Sequence, residues 1–285
     1  MKLSTKSGAM GSRALWLAGA GLLVVLLLCV AAVTIIANFL PDTLSGTALI
    51  VAGIILALVP ALVWLVFFYQ QDRLEPEPKS YVLRVFILGA ILAAAIGVPV
   101  VRDLFNVNRW IYTNETINLL GSILVIGFVQ EFLVYAAVRY SVFDSAEFDE
   151  RVDGIVYATA AGLGFATMLN FDYVVGHGGV DLAVGVIRVT ITALAHASIA
   201  GVLGYFLGQA KFEHTPIYYL PAGVALAAVL NGVFFWAQDV VTRTGISFNP
   251  WYGLVLAVIM AAGLLTLVSG LIQRANAETL ALEGR

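Results

Sequence analysis

The ionisable side chains inside apolar stretches of this sequence are the first candidates for chemistry. Glu131 follows Gln130 near the middle of a run of Ile, Leu, Val, Gly and Phe, and His196 lies inside a second apolar run. An ionisable group at membrane depth costs at least about 2.5 kcal/mol and usually marks a functional site. Glu131 and His196 lie at similar distances from the outer ends of their runs, so we expect the two side chains to meet at one depth.

A carboxylate that faces a histidine has a defined chemistry. In a partly wet cavity, such a carboxylate can hold and deprotonate a water molecule, while a second polar group stabilises the developing oxyanion. This pair therefore predicts a hydrolase. The same two residues also fit a structural hydrogen-bond network in which Glu131 stays protonated, because burial disfavours the charged carboxylate. Their positions alone leave both interpretations open.

Three further polar residues lie in neighbouring apolar runs. Asn170 and Asp172 come near the outer end of one run, and Asn231 lies near the middle of another. Asparagine side chains often join helices inside membranes, and Asp172 is close enough to the predicted interface to be solvated. All three are candidate catalytic residues, together with Gln130.

The sequence contains few ligands for a metal ion. Cys29 is the single cysteine, and the two histidines besides His196, which are His177 and His214, fall in predicted turns. Catalytic zinc usually takes three protein ligands and favours histidine. We therefore expect neither a metal ion nor another cofactor.

The elements that position these residues are predicted to be membrane helices. Of the 285 residues, 61% are hydrophobic and 12% are charged, whereas a soluble domain has about 25% charged residues. Several apolar runs approach the roughly 20 residues with which a helix crosses a bilayer. The fold class is therefore all-α, a polytopic membrane helix bundle whose partner is the lipid bilayer. The net charge of -3 gives no reason to expect a nucleic-acid partner.

The apolar runs and the turn-forming residues between them predict about eight transmembrane helices. These helices are expected at roughly 14–40, 47–69, 82–101, 117–143, 153–175, 182–210, 217–240 and 251–273. With a cytoplasmic amino terminus, eleven of the 15 lysines and arginines lie inside and four lie outside. This bias predicts that both termini are cytoplasmic and that the protein lies in a bacterial plasma membrane.

Small residues distinguish the predicted fifth and sixth helices from the first two. Alanine and glycine recur in the fifth and sixth helices, where they let helix backbones approach one another. We expect these two helices at the centre of the bundle. The first two helices are rich in Leu, Val and Ile and are expected to be peripheral and to face lipid.

Three separate stretches carry a family resemblance. Residues 71–78 (QDRLEPEP), followed by Phe86 and Gly89, resemble a signature in which an EPEP turn precedes a glycine-bearing helix. Residues 147–173 are similar to the cytoplasmic turn and following helix of the same family, and His196 begins a helix segment like its histidine helix. By this resemblance, which covers roughly residues 71–236, the chain is identified as a divergent member of the PrsW family of glutamic-type intramembrane proteases.

The resemblance implies a fold, an activity and a domain organisation. PrsW proteins resemble the CAAX-processing prenyl proteases in their helical core, and they make the first cut in a membrane-spanning anti-sigma factor. The corresponding organisation here is two helices and the EPEP turn in 1–80, the protease core in 81–240, and a last helix and cytoplasmic tail in 241–285.

The family motif is only partly present in this sequence. The resemblance implies a Glu-Glu pair, a lysine three residues later, a Glu-Asn pair, a histidine, and a final His and Asn four residues apart. The corresponding positions are Gln130-Glu131, Val134, Leu169-Asn170, His196, Asn231 and Phe235. Glu131, Asn170 and His196 are thus the matching polar residues. Glutamine preserves hydrogen bonding but cannot act as a base.

Two functions follow from this altered motif. In the first, the protein is an intramembrane peptidase in which Glu131 activates water and His196 stabilises the oxyanion, with Asp172 as a displaced substitute for the second carboxylate. In the second, it is an inactive pseudoprotease that binds a transmembrane segment or a regulatory membrane partner. Either function predicts a single-span membrane protein as substrate or partner.

Overall fold

The computed structural model describes residues 12–37, 46–70, 77–176, 182–242 and 250–283. Throughout these ranges the chain forms helices and turns and contains no strand, which confirms the predicted helix-bundle class. Residues 71–76 of the EPEP stretch and the turn residue His177 lie outside the described ranges.

Eight helical segments, here α1 to α8, follow one another along the described ranges. They are α1 Ser12–Ala37, α2 Gly46–Tyr69, α3 Lys79–Arg109, α4 Glu115–Arg139, α5 Asp153–Gly176, α6 Leu182–Phe212, α7 Tyr219–Thr242 and α8 Pro250–Glu283. Helices suit this composition because a chain in lipid must satisfy its backbone hydrogen bonds within itself.

Six of these segments, α2 to α7, are long and apolar enough to cross a membrane in the part of the chain that the structure describes. The shorter apolar stretches Val24–Ile35 and Trp251–Met260 lie in α1 and α8. The protein is therefore a polytopic membrane helix bundle. The count of eight spans and the cytoplasmic position of both termini stay predictions.

Helices α5 and α6 form the centre of the bundle, as their small residues predict. In their apolar stretches, 83% and 89% of the residues are buried, against 28% in α2. The two backbones pack so closely that a Cβ atom at Gly204 of α6 would overlap the carbonyl oxygen of Gly154 in α5. Close backbone contact gains dispersion energy that lipid alone does not supply.

The peripheral position predicted for the first two helices fits α2, which packs on the bundle with one face and exposes the other. The packed face lies against α5 and buries Trp64, Phe67 and Phe68. The opposite face exposes residues such as Ile54 and Val66, which fits lipid contact. The sequence concealed the difference because both faces of α2 are apolar.

Helices α3 and α4 depart from regular α-helix at three π-helical turns. In α3, the α-helix Lys79–Leu92 continues into π-helical turns at Ala93–Gly97 and Val100–Leu104. In α4, a π-helical stretch at Ser122–Gly127 precedes the α-helix Phe128–Arg139. Such turns insert extra residues and rotate the side chains that follow them, and they are frequent at functional sites.

Candidate functional site

A cavity of about 490 Å³ lies between α3, α4, α5, α6 and α7. Five of the six candidate catalytic residues line its wall, namely Gln130, Asn170, Asp172, His196 and Asn231. The sixth, Glu131, is fully buried beside Gln130. The structure therefore brings polar residues from four helices to one site.

The contact between α4 and α7 positions the Gln130-Glu131 pair. Gly127 of α4 and Gly232 of α7 face the opposite backbone so closely that a Cβ atom on either would overlap it. This approach lets the Nδ2 group of Asn231 donate hydrogen bonds to Gln130 Oε1 at 3.1 Å and to Glu131 Oε1 at 2.6 Å. One amide thus holds both residues of the pair.

Glu131 keeps one carboxyl oxygen outside this hydrogen-bond network. Its Oε1 atom accepts the bond from Asn231, whereas Oε2 is buried and has no hydrogen-bond partner among the described residues. Buried polar atoms are normally hydrogen-bonded, so an atom of this kind needs an explanation. The preceding residue, Gln130, lines the cavity, whereas Glu131 does not.

His196 reaches the cavity from α6 and is held in place by α5. Its imidazole ring stacks on Phe165 with ring centroids 5.9 Å apart. A Cβ atom at Gly162 would lie 3.1 Å from the carbonyl oxygen of His196, so glycine allows the close approach. The Nδ1 atom of His196 is buried and has no hydrogen-bond partner in the described chain.

Asn170 and Asp172 occupy different environments on the same wall. Asn170 is buried and donates a hydrogen bond from Nδ2 to the carbonyl oxygen of Val189 at 3.1 Å, which links α5 to α6. The carboxylate of Asp172 is about half exposed and lies 3.8 Å from the guanidinium of Arg102. Asn170 therefore holds α5 and α6 together at the cavity wall, and Asp172 lies near Arg102 at the charged end of the cavity.

Three of the altered motif positions are apolar and fall into two groups. Val134 is fully buried in the main hydrophobic core. Leu169 and Phe235 line the cavity and make its wall apolar where the family motif has polar groups. A lysine at the position of Val134 would bury an unpaired charge, which is unfavourable.

Sequence reasoning missed three charged residues that line the cavity together with Asp172. The four residues are Arg102, Asp172, Arg188 and Asp239, which all line the cavity near the ends of their helices and are here called the cavity mouth. Asp239 accepts a hydrogen bond of 2.9 Å from Asn118. Charged residues near the ends of apolar runs were the available signal, but their convergence depends on tertiary packing.

The chain is similar to known intramembrane proteases. A family profile described as the PrsW family intramembrane metalloprotease matches residues 77–264. Protease PrsW of Geobacillus kaustophilus is 34% identical over 190 residues, which are 66% of this chain and 79% of the relative. Protease PrsW of Bacillus subtilis is 34% identical over 190 residues, or 66% of this chain and 81% of the relative. No solved structure matches the chain.

The family description includes a metal, and the cavity residues do not form the usual set of ligands for one. A catalytic zinc ion usually takes three protein ligands of the His, Cys or carboxylate type. Among the described residues, the three such side chains that come close together are Glu77, Asp149 and Asp153, which do not line the cavity. Besides Glu131 and His196, the site offers the amide groups of Gln130 and Asn231, which are not among these usual ligands. The residues at the cavity therefore do not fit a catalytic metal ion.

Proposed function

Because this chain belongs to the PrsW family of intramembrane proteases, we propose that it binds a membrane-spanning protein segment in the cavity and hydrolyses a peptide bond there. It is a multi-pass protein of a bacterial cell membrane. The proposed substrates are single-span membrane proteins such as anti-sigma factors.

One observation carries this proposal. Glu131 Oε2 and His196 Nδ1 are buried atoms without a hydrogen-bond partner in the described residues, on helices α4 and α6 that contact each other. Leaving a buried polar atom unpaired costs about 1–3 kcal/mol. In the proposed site, these two atoms are the ones that contact water and the substrate.

The two residues have complementary roles in the proposed reaction. The Glu131 carboxylate accepts a proton from water, and the oxygen of that water forms a bond to the carbonyl carbon of the substrate. His196 donates a hydrogen bond to the resulting oxyanion. The proton held by Glu131 then passes to the leaving nitrogen as the carbon–nitrogen bond breaks.

The neighbouring polar residues position this pair. Asn231 fixes the orientation of the Glu131 carboxyl group, and Gln130 receives the second hydrogen bond from the same amide. Asn170 holds the backbone of α6 against α5 seven residues before His196. Asp172 is the proposed source of a second carboxylate, at the charged end of the same cavity.

A pseudoprotease is the second candidate function, and it is favoured by the residues that form the cavity wall. Gln130, rather than Glu131, lines the cavity, and an amide cannot serve as the base. Leu169 adds an apolar surface where the family motif has a carboxylate. Such a cavity would bind a transmembrane segment without cutting it.

A cleavage assay in reconstituted vesicles tests the choice between these functions. The full chain, Glu131→Ala and His196→Ala are incubated with a library of single-span membrane substrates, and products are identified by mass. We expect cleavage by the parent protein and its loss in both variants. No cleavage by the parent, together with cleavage after Gln130→Glu, Val134→Lys, Leu169→Glu and Asn231→His are combined, would establish the pseudoprotease instead.

A further inference from the structure

Arg188 is a cation on the cavity wall without an anionic partner in the described part of the chain. It lies on α6 and lines the cavity eight residues before His196, a rise of about 12 Å along an α-helix. Its guanidinium carbon stands 4.1 Å from the centre of the Tyr173 ring. No carboxylate lies within ion-pair distance of Arg188 among the residues that the structure describes.

The other charges of the cavity mouth are already engaged. Arg102 pairs with Asp103 at 3.0 Å and lies 3.8 Å from Asp172. Asp239 accepts a hydrogen bond from the amide of Asn118. The cavity mouth therefore leaves Arg188 as the cation that can receive an external anion.

The guanidinium group of Arg188 suits a carboxylate better than a cation without paired donors would. A guanidinium group presents paired donors that match the two oxygens of a carboxylate. The cation–π contact with Tyr173 restricts the guanidinium and lowers the entropy lost when it binds. Arg188 is thus partly ordered on the cavity wall before a ligand arrives.

We propose that Arg188 binds an acidic side chain in the flank of the membrane-spanning substrate, next to the cavity mouth. This inference rests on the proposed function, in which the same cavity receives that substrate. The rise of about 12 Å between Arg188 and His196 corresponds to about four residues of extended peptide. The carboxylate therefore lies about four residues from the bond that reaches His196, and the site selects substrates with acidic flanks.

A phospholipid headgroup is the other anion that a cation near a membrane interface can meet. The position of Arg188 favours the substrate, because its side chain lines the cavity and packs on Tyr173 of the neighbouring helix. Arg109 provides the contrast, since it lies at the end of α3 and does not line the cavity.

A binding measurement with synthetic single-span peptides tests this assignment. The full chain is reconstituted in phosphatidylcholine vesicles, and the peptides carry one Glu, Gln or Lys at successive positions of one flank. We expect the best Glu peptide to bind about threefold to tenfold more tightly than its Gln counterpart. Arg188→Gln should abolish this preference, Arg188→Lys should retain part of it, and Arg188→Glu should favour the Lys peptide. Arg109→Gln is the matched control and should behave like the parent protein.

The inference is overturned if Arg188→Gln keeps the preference for the Glu peptide. It is also overturned if Arg188→Gln weakens binding of the Glu, Gln and Lys peptides equally and this loss changes when phosphatidylglycerol is added to the vesicles. Cleavage of the same peptides is followed separately on gels. A charge preference without cleavage would support the role of Arg188 and contradict hydrolysis. Cleavage without a charge preference would support hydrolysis and contradict the role of Arg188.

Discussion

Two buried carboxylate clusters in this protein differ in what their hydrogen bonds hold. In the first, here called the turn cluster, Tyr157 donates to Glu77, and Asp153 Oδ2 accepts the backbone N–H groups of Asp149 and Glu150 at 2.8 and 2.6 Å. These bonds close the turn before α5 and tie α5 to Glu77, just before α3. The turn cluster therefore fixes the path of the backbone.

The second cluster, Gln130, Glu131 and Asn231, connects side chains only and borders the cavity. Its bonds fix no turn, and Gln130 and Asn231 line the cavity, which Glu77, Asp149 and Asp153 do not. The comparison teaches that burial of a carboxylate does not by itself indicate catalysis. Contact with the cavity is the feature that separates the second cluster from the turn cluster.

The largest expected effect comes from Glu131→Gln, which preserves the shape of the side chain and removes the base. We expect cleavage to fall by about 10²–10⁴-fold, the usual contribution of general acid–base catalysis. Thermal unfolding in detergent micelles should shift little, because the hydrogen bond from Asn231 can persist. If the Glu131→Gln variant instead unfolds at a much lower temperature and loses cleavage in proportion, then Glu131 has a structural role, as the turn cluster does.

Gly232→Val tests whether close contact of α4 and α7 builds the site. The added side chain would overlap the backbone at Ile123, and overpacking of this kind costs about 1–3 kcal/mol. We expect lower stability in micelles and a loss of cleavage larger than the loss of folded protein, because Asn231 moves away from Glu131. Gly263→Val, at a glycine with open space around it, is the matched control and should change neither.

Asp153→Asn tests whether the turn cluster has a structural role. It weakens two charge-assisted hydrogen bonds to backbone N–H groups, each worth about 1.5–3 kcal/mol in full. We expect unfolding at a lower temperature, with the cleavage rate of the remaining folded protein unchanged. A specific loss of cleavage at unchanged stability would contradict the assignment of this cluster to the backbone.

Asp172→Asn is expected to have the smallest effect of the four. Its carboxylate is half exposed and close to Arg102, so we expect cleavage to fall by less than about tenfold, which corresponds to about 1.4 kcal/mol. A partial fall of this size would support Asp172 as a displaced second carboxylate with an auxiliary role, and a fall as large as that of Glu131→Gln would make it as essential as Glu131. Full retention of activity would remove it from the catalytic set.

Much of the fold was predictable from local composition. Apolar runs long enough to cross a bilayer predict helices because the backbone in lipid must bond within its own segment. The recurrence of Ala and Gly predicted the central position of α5 and α6, because small residues permit close backbone contact. The packed face of α2 was not predictable, since an apolar residue in a membrane helix can face either lipid or protein.

The candidate site divides in the same way. The sequence by itself determined which residues are ionisable at membrane depth, and this property alone selects Glu131 and His196 as the candidate pair. Only the tertiary structure decided that Asn231 holds the Gln130-Glu131 pair, that Gln130 lines the cavity, and that Arg188 faces the same space. Helix rotation, π-helical turns and glycine contacts set these directions, and they depend on packing between helices that are far apart in the chain, as α4 and α7 are.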